Sequence, residues 1–183
     1  DNILSNIQPN ILIHLAWETT PNKFYENKIN LKWSKSTIRF IKNFYSNGGE
    51  KFIFSSTCDE YGIKNKFQNI DENCFCRPKS FYGKSKNEVS IFLNKNFKYR
   101  SIILRNFFVC GPGENKKKLL SYIIERVKNQ TKVHLKRPDD LIDFIDVRDV
   151  SKIIFQFAVD DNFGIFNIGS STINTPLDLT KKI

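Results

Sequence analysis

The chain contains the stretch Lys51-Phe52-Ile53-Phe54-Ser55-Ser56, a short apolar run that ends in two hydroxyl residues. This stretch comes almost directly after Asn47-Gly48-Gly49, residues that tolerate positive φ and are typical of helix ends. Before that turn, apolar residues recur at helical spacing between positions 26 and 46. These patterns predict a helix over 26–46 that is followed at once by a strand over 51–56.

The alternation of strands and helices continues on both sides of this unit. Upstream, residues 10–16 form a continuous apolar run of the kind found in strands that are buried on both faces of a parallel sheet. Downstream, we predict a helix over 80–96, a strand over 99–108, a helix over 118–129, a strand over 132–135, a helix from near Asp149 and a strand over 164–168. Strands that alternate with helices imply right-handed crossovers. The predicted fold class is therefore α/β, with a Rossmann-like, doubly wound parallel sheet.

The composition argues against several classes of protein. The net charge is +10, but the basic residues are scattered along the chain, so we expect no nucleic-acid partner. The four cysteines have no C-x-x-C spacing and both histidines lie far from them, so we expect no metal site. No apolar run approaches the ~18 residues that a membrane span needs, and no leader opens the chain. We therefore expect a cytoplasmic protein with no membrane partner.

Tyr82 and Lys86 lie four residues apart, so on a helix they share one face. A nearby ammonium favours the phenolate, so we expect Lys86 to lower the pKa of Tyr82 toward the range that a general acid or base needs. Thr57 stands where the strand over 51–56 ends, at the sheet edge where ligands bind in open α/β folds. Taken alone, these residues are equally compatible with a surface tyrosine, a solvated lysine and a hydroxyl that satisfies a turn.

Five motifs in a fixed order strengthen the catalytic interpretation. The first is His14-Leu15-Ala16-Trp17, with Asn30 following on the next helix, and the second is 54–62, Phe-Ser-Ser-Thr-Cys-Asp-Glu-Tyr-Gly. The others lie at 105–113, Arg-Asn-Phe-Phe-Val-Cys-Gly-Pro-Gly, at 143–150, Asp-Phe-Ile-Asp-Val-Arg-Asp-Val, and at 166–169, Phe-Asn-Ile-Gly. Together with Tyr82 and Lys86, this order resembles the extended short-chain dehydrogenase/reductase family, also called the NAD-dependent epimerase/dehydratase family. The resemblance covers nearly the whole chain.

The resemblance implies an NAD- or NADP-dependent enzyme that acts on a nucleotide sugar, with Thr57, Tyr82 and Lys86 as catalytic residues. It implies cofactor contacts at His14, Ala16, Asn30, Ser55, Ser56, Tyr82, Lys86 and Phe108. It implies substrate contacts at Thr57, Cys58, Asp59, Phe107, Phe108 and Arg148. Because family members commonly pair such helices, it also implies a homodimer formed through the helices 26–46 and 80–96.

Two positions distinguish among the activities of the family. Dehydratases that resemble this chain place an acid directly after the catalytic threonine, where this sequence has Cys58. Phe108 stands where many epimerases carry an asparagine that contacts the substrate. The chain is therefore most similar to reductases of 4-keto-6-deoxy sugar nucleotides, which serve surface-polysaccharide biosynthesis. A 4-epimerase or dehydratase of the same family is one alternative, and a non-catalytic remnant or binding protein on the same fold is another.

The domain organisation follows from what the chain lacks. A dinucleotide-binding fold opens with a Gly-rich turn that admits the pyrophosphate, and no such turn occurs before Ile11. The chain also has no methionine, and we expect a piece of a longer protein. We predict a single, partial NAD(P)-binding domain over 1–183, with the substrate-binding segments mainly in 109–183.

Overall fold

The computed structural model describes residues 2–20, 24–62 and 70–183. The helices are α1 (Asn2–Ile7), α2 (Ile29–Ser46), α3 (Phe81–Asn96), α4 (Leu119–Lys128), α5 (Val147–Val159) and α6 (Pro176–Lys182). The strands are β1 (Ile11–His14), β2 (Lys51–Thr57), β3 (Ser101–Asn106), β4 (Phe108–Cys110), β5 (Ile142–Asp146), β6 (Gly164–Ile168) and β7 (Ile173–Asn174). A 3-10 turn, Cys58–Tyr61, follows β2 directly.

The main sheet is parallel and has helices on both faces. Its strand order is β1-β2-β3-β6. Side chains alternate across β2, so Phe52 and Phe54 pack against α2 and α3 on one face, while Ile53 packs with Val150 and Ile154 of α5 on the other. The predicted α/β class with a doubly wound, Rossmann-like sheet is confirmed.

A second, smaller sheet stands beside the carboxyl end of the first. The chain leaves the main sheet after Asn106, and the Phe107 amide still donates to the Ile168 carbonyl at 2.9 Å. β4 then pairs in parallel with β5, which pairs antiparallel with β7. The predicted strand over 99–108 is thus two strands in two sheets, and Phe108 begins the second one.

Residues 10–16 do form a strand, but the prediction that it is buried on both faces is wrong. The strand covers only Ile11–His14 and lies at the edge of the main sheet. Leu12 packs toward the core beneath α2, whereas Ile11 and Ile13 are 41% and 43% exposed. The reason is that α5, the described helix on that face, packs over β2 and β3 and does not reach β1.

The prediction of a strand over 132–135 is also wrong. The described residues there form an irregular segment, in which the His134 amide donates to the Tyr122 hydroxyl at 3.1 Å. An alternating pattern forms a strand only where a neighbouring strand can accept its hydrogen bonds, and none lies alongside this segment in the described part of the chain. The helices predicted over 26–46, 80–96 and 118–129 are present, as is the strand over 164–168. None of the described helices has the length and apolar character that a membrane crossing requires.

Candidate active site

The first turn of α3 lies against the end of β2. The Ser80 hydroxyl accepts from the Gly83 amide at 2.9 Å, which caps the helix where it begins. Gly83 permits the close approach, because a Cβ at this position would lie 2.8 Å from the Asp59 carbonyl oxygen. This packing places Tyr82 and Lys86 beside Thr57.

The Thr57 hydroxyl lies close enough to the Tyr82 phenol to act on its pKa. The Thr57 hydroxyl also accepts from the Asp59 amide at 3.2 Å, and the Tyr82 amide donates to the Tyr25 carbonyl at 3.0 Å. Burial raises the pKa of Tyr82 above its ordinary value, the neighbouring Tyr25 raises it further, and the nearby Thr57 hydroxyl acts in the opposite direction. The expectation of a pKa lowered toward the working range is therefore wrong for the protein alone, because burial of the phenol is the largest cause of the shift. Tyr82 is thus a neutral phenol near neutral pH.

Lys86 is buried, with 2% of its surface exposed. Its ammonium donates to the Ser55 carbonyl at 2.6 Å and lies 4.1 Å from the centre of the Trp17 ring and 4.7 Å from that of Phe54. Burial lowers the pKa of Lys86 to about 7, and the negative charge of Glu60 opposes this shift. The pKa of Lys86 thus lies closer to neutral pH than that of an exposed lysine.

Glu60 belongs to the motif at 54–62 but was assigned no role from the sequence, and it lies at the centre of a buried polar network. Its carboxylate accepts from the Ser56 hydroxyl, from the Ser90 hydroxyl at 2.6 Å and from Arg105 Nε at 3.0 Å. Arg105 in turn donates to the Tyr61 hydroxyl at 2.8 Å. The Ser56 side chain, expected at the cofactor, is committed to this network, whereas the Ser55 hydroxyl accepts from the Asn106 amide at 3.0 Å.

Cys58 and Asp59 begin the 3-10 turn after Thr57 and differ in character. Burial raises the pKa of the Cys58 thiol to about 12, and the nearby Asp59 charge acts in the same direction. The Asp59 carboxylate accepts from the Ser80 hydroxyl and lines a cavity. The thiol is thus neutral over the whole physiological range, and Asp59 is the one of these two residues that lines the cavity.

This cavity has a volume of about 650 Å³ and lies between the turn that follows β2 and the second sheet. Tyr25, Asp59 and Ser80 line it near Tyr82, and Phe108 lies on its wall with 38% of its surface exposed. Four further basic residues line it: Lys79, Lys117, Lys136 and Arg137. Three acidic residues, Glu26, Asp59 and Asp140, also line it, and Asp140 pairs with Arg137 at 3.3 Å. The three lysines are therefore the groups that suit an anionic ligand. The sequence did not indicate these four basic residues, because scattered lysines resemble an ordinary solvated surface.

His14 and Ala16 lie at the carboxyl end of β1, where they line a second cavity of about 720 Å³ against α2. His14 Nδ1 is buried and has no hydrogen-bond partner among the described residues. Burial, and then the charge of Lys86, lower the pKa of His14 to about 4. Asn30 is fully buried, and its side chain bonds within the protein: it accepts from Trp17 Nε1 at 2.7 Å and donates to the Phe24 and Asn27 carbonyls.

The structure brings some of the expected site residues together and leaves others apart. Thr57, Cys58, Asp59, Tyr82 and Lys86 form one cluster, with Phe108 across the cavity. Phe107 lies at the junction of the two sheets. Arg148 is separate from this cluster: its side chain is 72% exposed, it binds Asp146 at 2.6 Å and it lines neither cavity. The described residues contain no group of three or more His, Cys, Asp or Glu side chains that could hold a metal ion.

Residues 1–169 match the model of one protein family, described as the NAD dependent epimerase/dehydratase family. The description agrees with the nicotinamide cofactor expected from the sequence. No curated protein matches the chain in sequence.

Three solved structures illustrate the likeness in fold. The UDP-glucose 4-epimerase of Thermus thermophilus, solved with NAD, is 22% identical with a TM-score of 0.80, over 98% of this chain and 62% of its own. RMD from Pseudomonas aeruginosa, solved with NADPH, is 21% identical with a TM-score of 0.77, over 94% of this chain and 63% of its own. The dTDP-glucose 4,6-dehydratase of Bacillus anthracis is 18% identical with a TM-score of 0.79, over 99% of this chain and 58% of its own. At these identities the likeness shows the fold, and the chain spans about 60% of the length of these proteins.

Proposed function

Because the chain belongs to the NAD-dependent epimerase/dehydratase family, we propose that the complete protein reduces the 4-keto group of a nucleotide-linked 6-deoxyhexose with NADH or NADPH. The observation that carries this proposal is the pairing of a neutral Tyr82, which lies beside Thr57, with a neutral thiol at Cys58. This set can protonate a ketone oxygen, but it lacks the extra acid that elimination of water needs.

Residues of this chain fit one end of a nicotinamide cofactor. Lys86 lies at the carboxyl end of the parallel strands, where dinucleotides bind in this fold, and its ammonium could hold the ribose hydroxyls. His14 Nδ1, buried and without a partner among the described residues, lies at the same edge and is free to bond a ligand. When bound, the reduced nicotinamide supplies the hydride.

The proton steps follow from the geometry at Tyr82. As hydride reaches C4, the ketone oxygen becomes an alkoxide, which takes the Tyr82 proton while the Thr57 hydroxyl stabilises the developing charge. The phenolate that remains is stabilised by the positive charge of Lys86, whose ammonium lies 5.9 Å from the centre of the Tyr82 ring. Reprotonation of Tyr82 from solvent completes the cycle, so ketone, NAD(P)H and one proton give alcohol and NAD(P)⁺.

Cys58 is the reason to favour reduction over dehydration. Removal of a hydroxyl as water requires an acid that gives up its proton at working pH. A thiol whose pKa burial raises to about 12 cannot take the place of a carboxylic acid in that step. Reduction of an existing ketone needs no such group, and the placement of Thr57, Tyr82 and Lys86 supports it.

The lysines of the cavity support a nucleotide-linked substrate. A diphosphate brings at least two negative charges, which Lys79, Lys117 and Lys136 would balance, whereas Arg137 already pairs with Asp140 at 3.3 Å. Most of the cavity lining comes from 109–183, so we propose that this part of the chain supplies most of the substrate contacts. The homodimer through α2 and α3 also stays a proposal; exposed apolar residues on these helices, Leu31, Phe40 and Ile91, support it.

The test is an assay of the full-length protein with dTDP- and CDP-linked 4-keto-6-deoxy sugars and NADPH or NADH, followed by loss of the reduced nicotinamide absorbance. We expect oxidation of the cofactor that depends on the sugar. A parallel assay supplies the unmodified nucleotide hexoses. Formation of a 4-keto product there would indicate a dehydratase, and interconversion of C4 epimers without net cofactor use would indicate an epimerase. Cofactor or nucleotide binding without any turnover would favour the non-catalytic alternative.

A further inference from the structure

We propose that Trp17 is a positioning residue that keeps Lys86 charged and fixed beside Tyr82 through the face of its indole ring. The inference concerns the charge state of a buried lysine, and its consequence for turnover rests on the proposed function. Trp17 is not among the residues that the sequence assigned to catalysis or binding.

The Lys86 ammonium has few hydrogen-bond or ion-pair partners among the described residues. Its single hydrogen bond among the described residues goes to the Ser55 carbonyl, and it forms no ion pair there. An ammonium has three N–H groups, and a buried charge without a carboxylate partner tends to lose its proton. Something in the structure must therefore favour the charged form if Lys86 is to stabilise a phenolate.

The indole of Trp17 meets this need. Its ring centre lies 4.1 Å from Lys86 Nζ, closer than the centres of Phe54 at 4.7 Å and Tyr82 at 5.9 Å. Tryptophan has the strongest attraction for a cation among the aromatic side chains, and the attraction grows when both partners are shielded from water. It acts on the ammonium and not on the neutral amine, so it raises the pKa of Lys86, as the charge of Glu60 also does.

The ring is held in place by its own contacts. Trp17 Nε1 donates to Asn30 Oδ1 at 2.7 Å, and the Asn30 amide is anchored by the Phe24 and Asn27 carbonyls. Trp33 packs beside the indole with 5.8 Å between ring centres. The face of the indole is thus preorganised over Lys86, and the edge that carries Nε1 is occupied by Asn30.

Fluorinated tryptophan incorporated at position 17 of the full-length protein provides the test. Fluorine withdraws electron density from the ring face and weakens cation binding with little change in shape. The pKa of Lys86 is measured by NMR titration of ¹³Cε-labelled lysine, with its signal assigned from Lys86→Arg. We expect the pKa to fall stepwise with the number of fluorines, by about one unit for the most fluorinated ring. The matched control carries the same residues at Trp33, where no fall is expected.

Two outcomes would overturn the proposal: an unchanged Lys86 pKa with fluorinated rings at position 17, or an equal fall when they are at position 33. The titration does not depend on turnover, so failure of the proposed reaction leaves its result readable. If the reaction is also observed, the basic limb of the pH profile of kcat should move to lower pH by the same amount as the Lys86 pKa. Variants at Trp33 should leave that limb in place.

Discussion

Glu60 and Arg105 form an ion pair with 3.0 Å between Oε2 and Nε, and their side chains are 0% and 5% exposed. The pair joins the turn after β2 to the strand β3, and it lies within reach of Lys86, whose pKa the Glu60 charge raises. Residues that hold the fold and residues that set the charge of the site are therefore electrostatically connected.

Loss of one partner of this pair should strongly destabilise the fold. Arg105→Met leaves the Glu60 carboxylate buried without its cation, and we expect the free energy of unfolding to fall by about 3–5 kcal/mol. Urea denaturation measures this change. The matched control is Lys152→Met, which breaks a surface pair with Asp149 whose side chains are 79% and 59% exposed, and which should cost less than about 1 kcal/mol. Similar losses in both variants would contradict the argument.

Removal of the Tyr82 hydroxyl should abolish turnover and spare cofactor binding. Tyr82→Phe takes away the proton that must accompany hydride, so we expect kcat to fall by about 10²-fold or more. Cofactor affinity, measured by fluorescence titration, should change little because the ring remains. Tyr99→Phe, at a side chain that is 76% exposed, is the control for a loss of phenol elsewhere. Retention of most of the kcat in Tyr82→Phe would rule out the assigned role.

Lys86→Ala should weaken both cofactor binding and rate, because one ammonium serves the ribose and the phenolate in the proposed reaction. Lys84→Ala is the natural control, since Lys84 lies on the same turn of α3 with an exposed side chain. Isothermal titration with the cofactor and steady-state kinetics give the two quantities. Unchanged affinity in Lys86→Ala would remove the ribose contact from the proposal.

Local patterns were sufficient to predict most of the main sheet. The spacing of Ile29, Trp33 and Phe44 predicted a helix, and the apolar run at 52–54 predicted a strand. Both patterns can be read from residues that are close in sequence. The burial of β1 was predicted wrongly, because its sequence would be the same whether helices covered one face of the strand or both.

The candidate site was predictable only in part. The spacing of Tyr82 and Lys86 indicated that they share a helix face, but it did not reveal that the structure buries Lys86 and half-buries Tyr82. This loss of contact with water decides the direction of both pKa shifts. The network around Glu60 depends on Arg105, 45 residues away, so no local pattern could indicate it. The basic cavity lining likewise comes from several separate segments.

Finally, His14 should make the stability of the fold depend on pH in a definite window. Burial, and then the charge of Lys86, lower the pKa of His14 to about 4 in the folded state, while in the unfolded chain it takes its ordinary value of about 6.5. Above pH 6.5 the imidazole is neutral in both the folded and the unfolded state. Protonation of His14 therefore does not lower the free energy of unfolding in that range. As pH falls from about 6.5 to about 4, the unfolded state gains a proton that the folded state does not, so stability is lost across this range.

The variant His14→Phe isolates this effect. Phenylalanine keeps an aromatic ring among Phe40, Phe52 and Phe54, whose ring centres lie 5.8–6.2 Å from that of His14, but it cannot take up a proton. We expect the midpoint of thermal unfolding to decline less between pH 6.5 and 4 in this variant than in the parent protein. His134→Gln changes the other histidine of the chain, which is exposed, and should keep the parental decline. Because carboxyl groups titrate alike in all three proteins, the difference between their slopes reports His14 alone. Parallel declines in the parent and His14→Phe would show that the buried imidazole is not responsible.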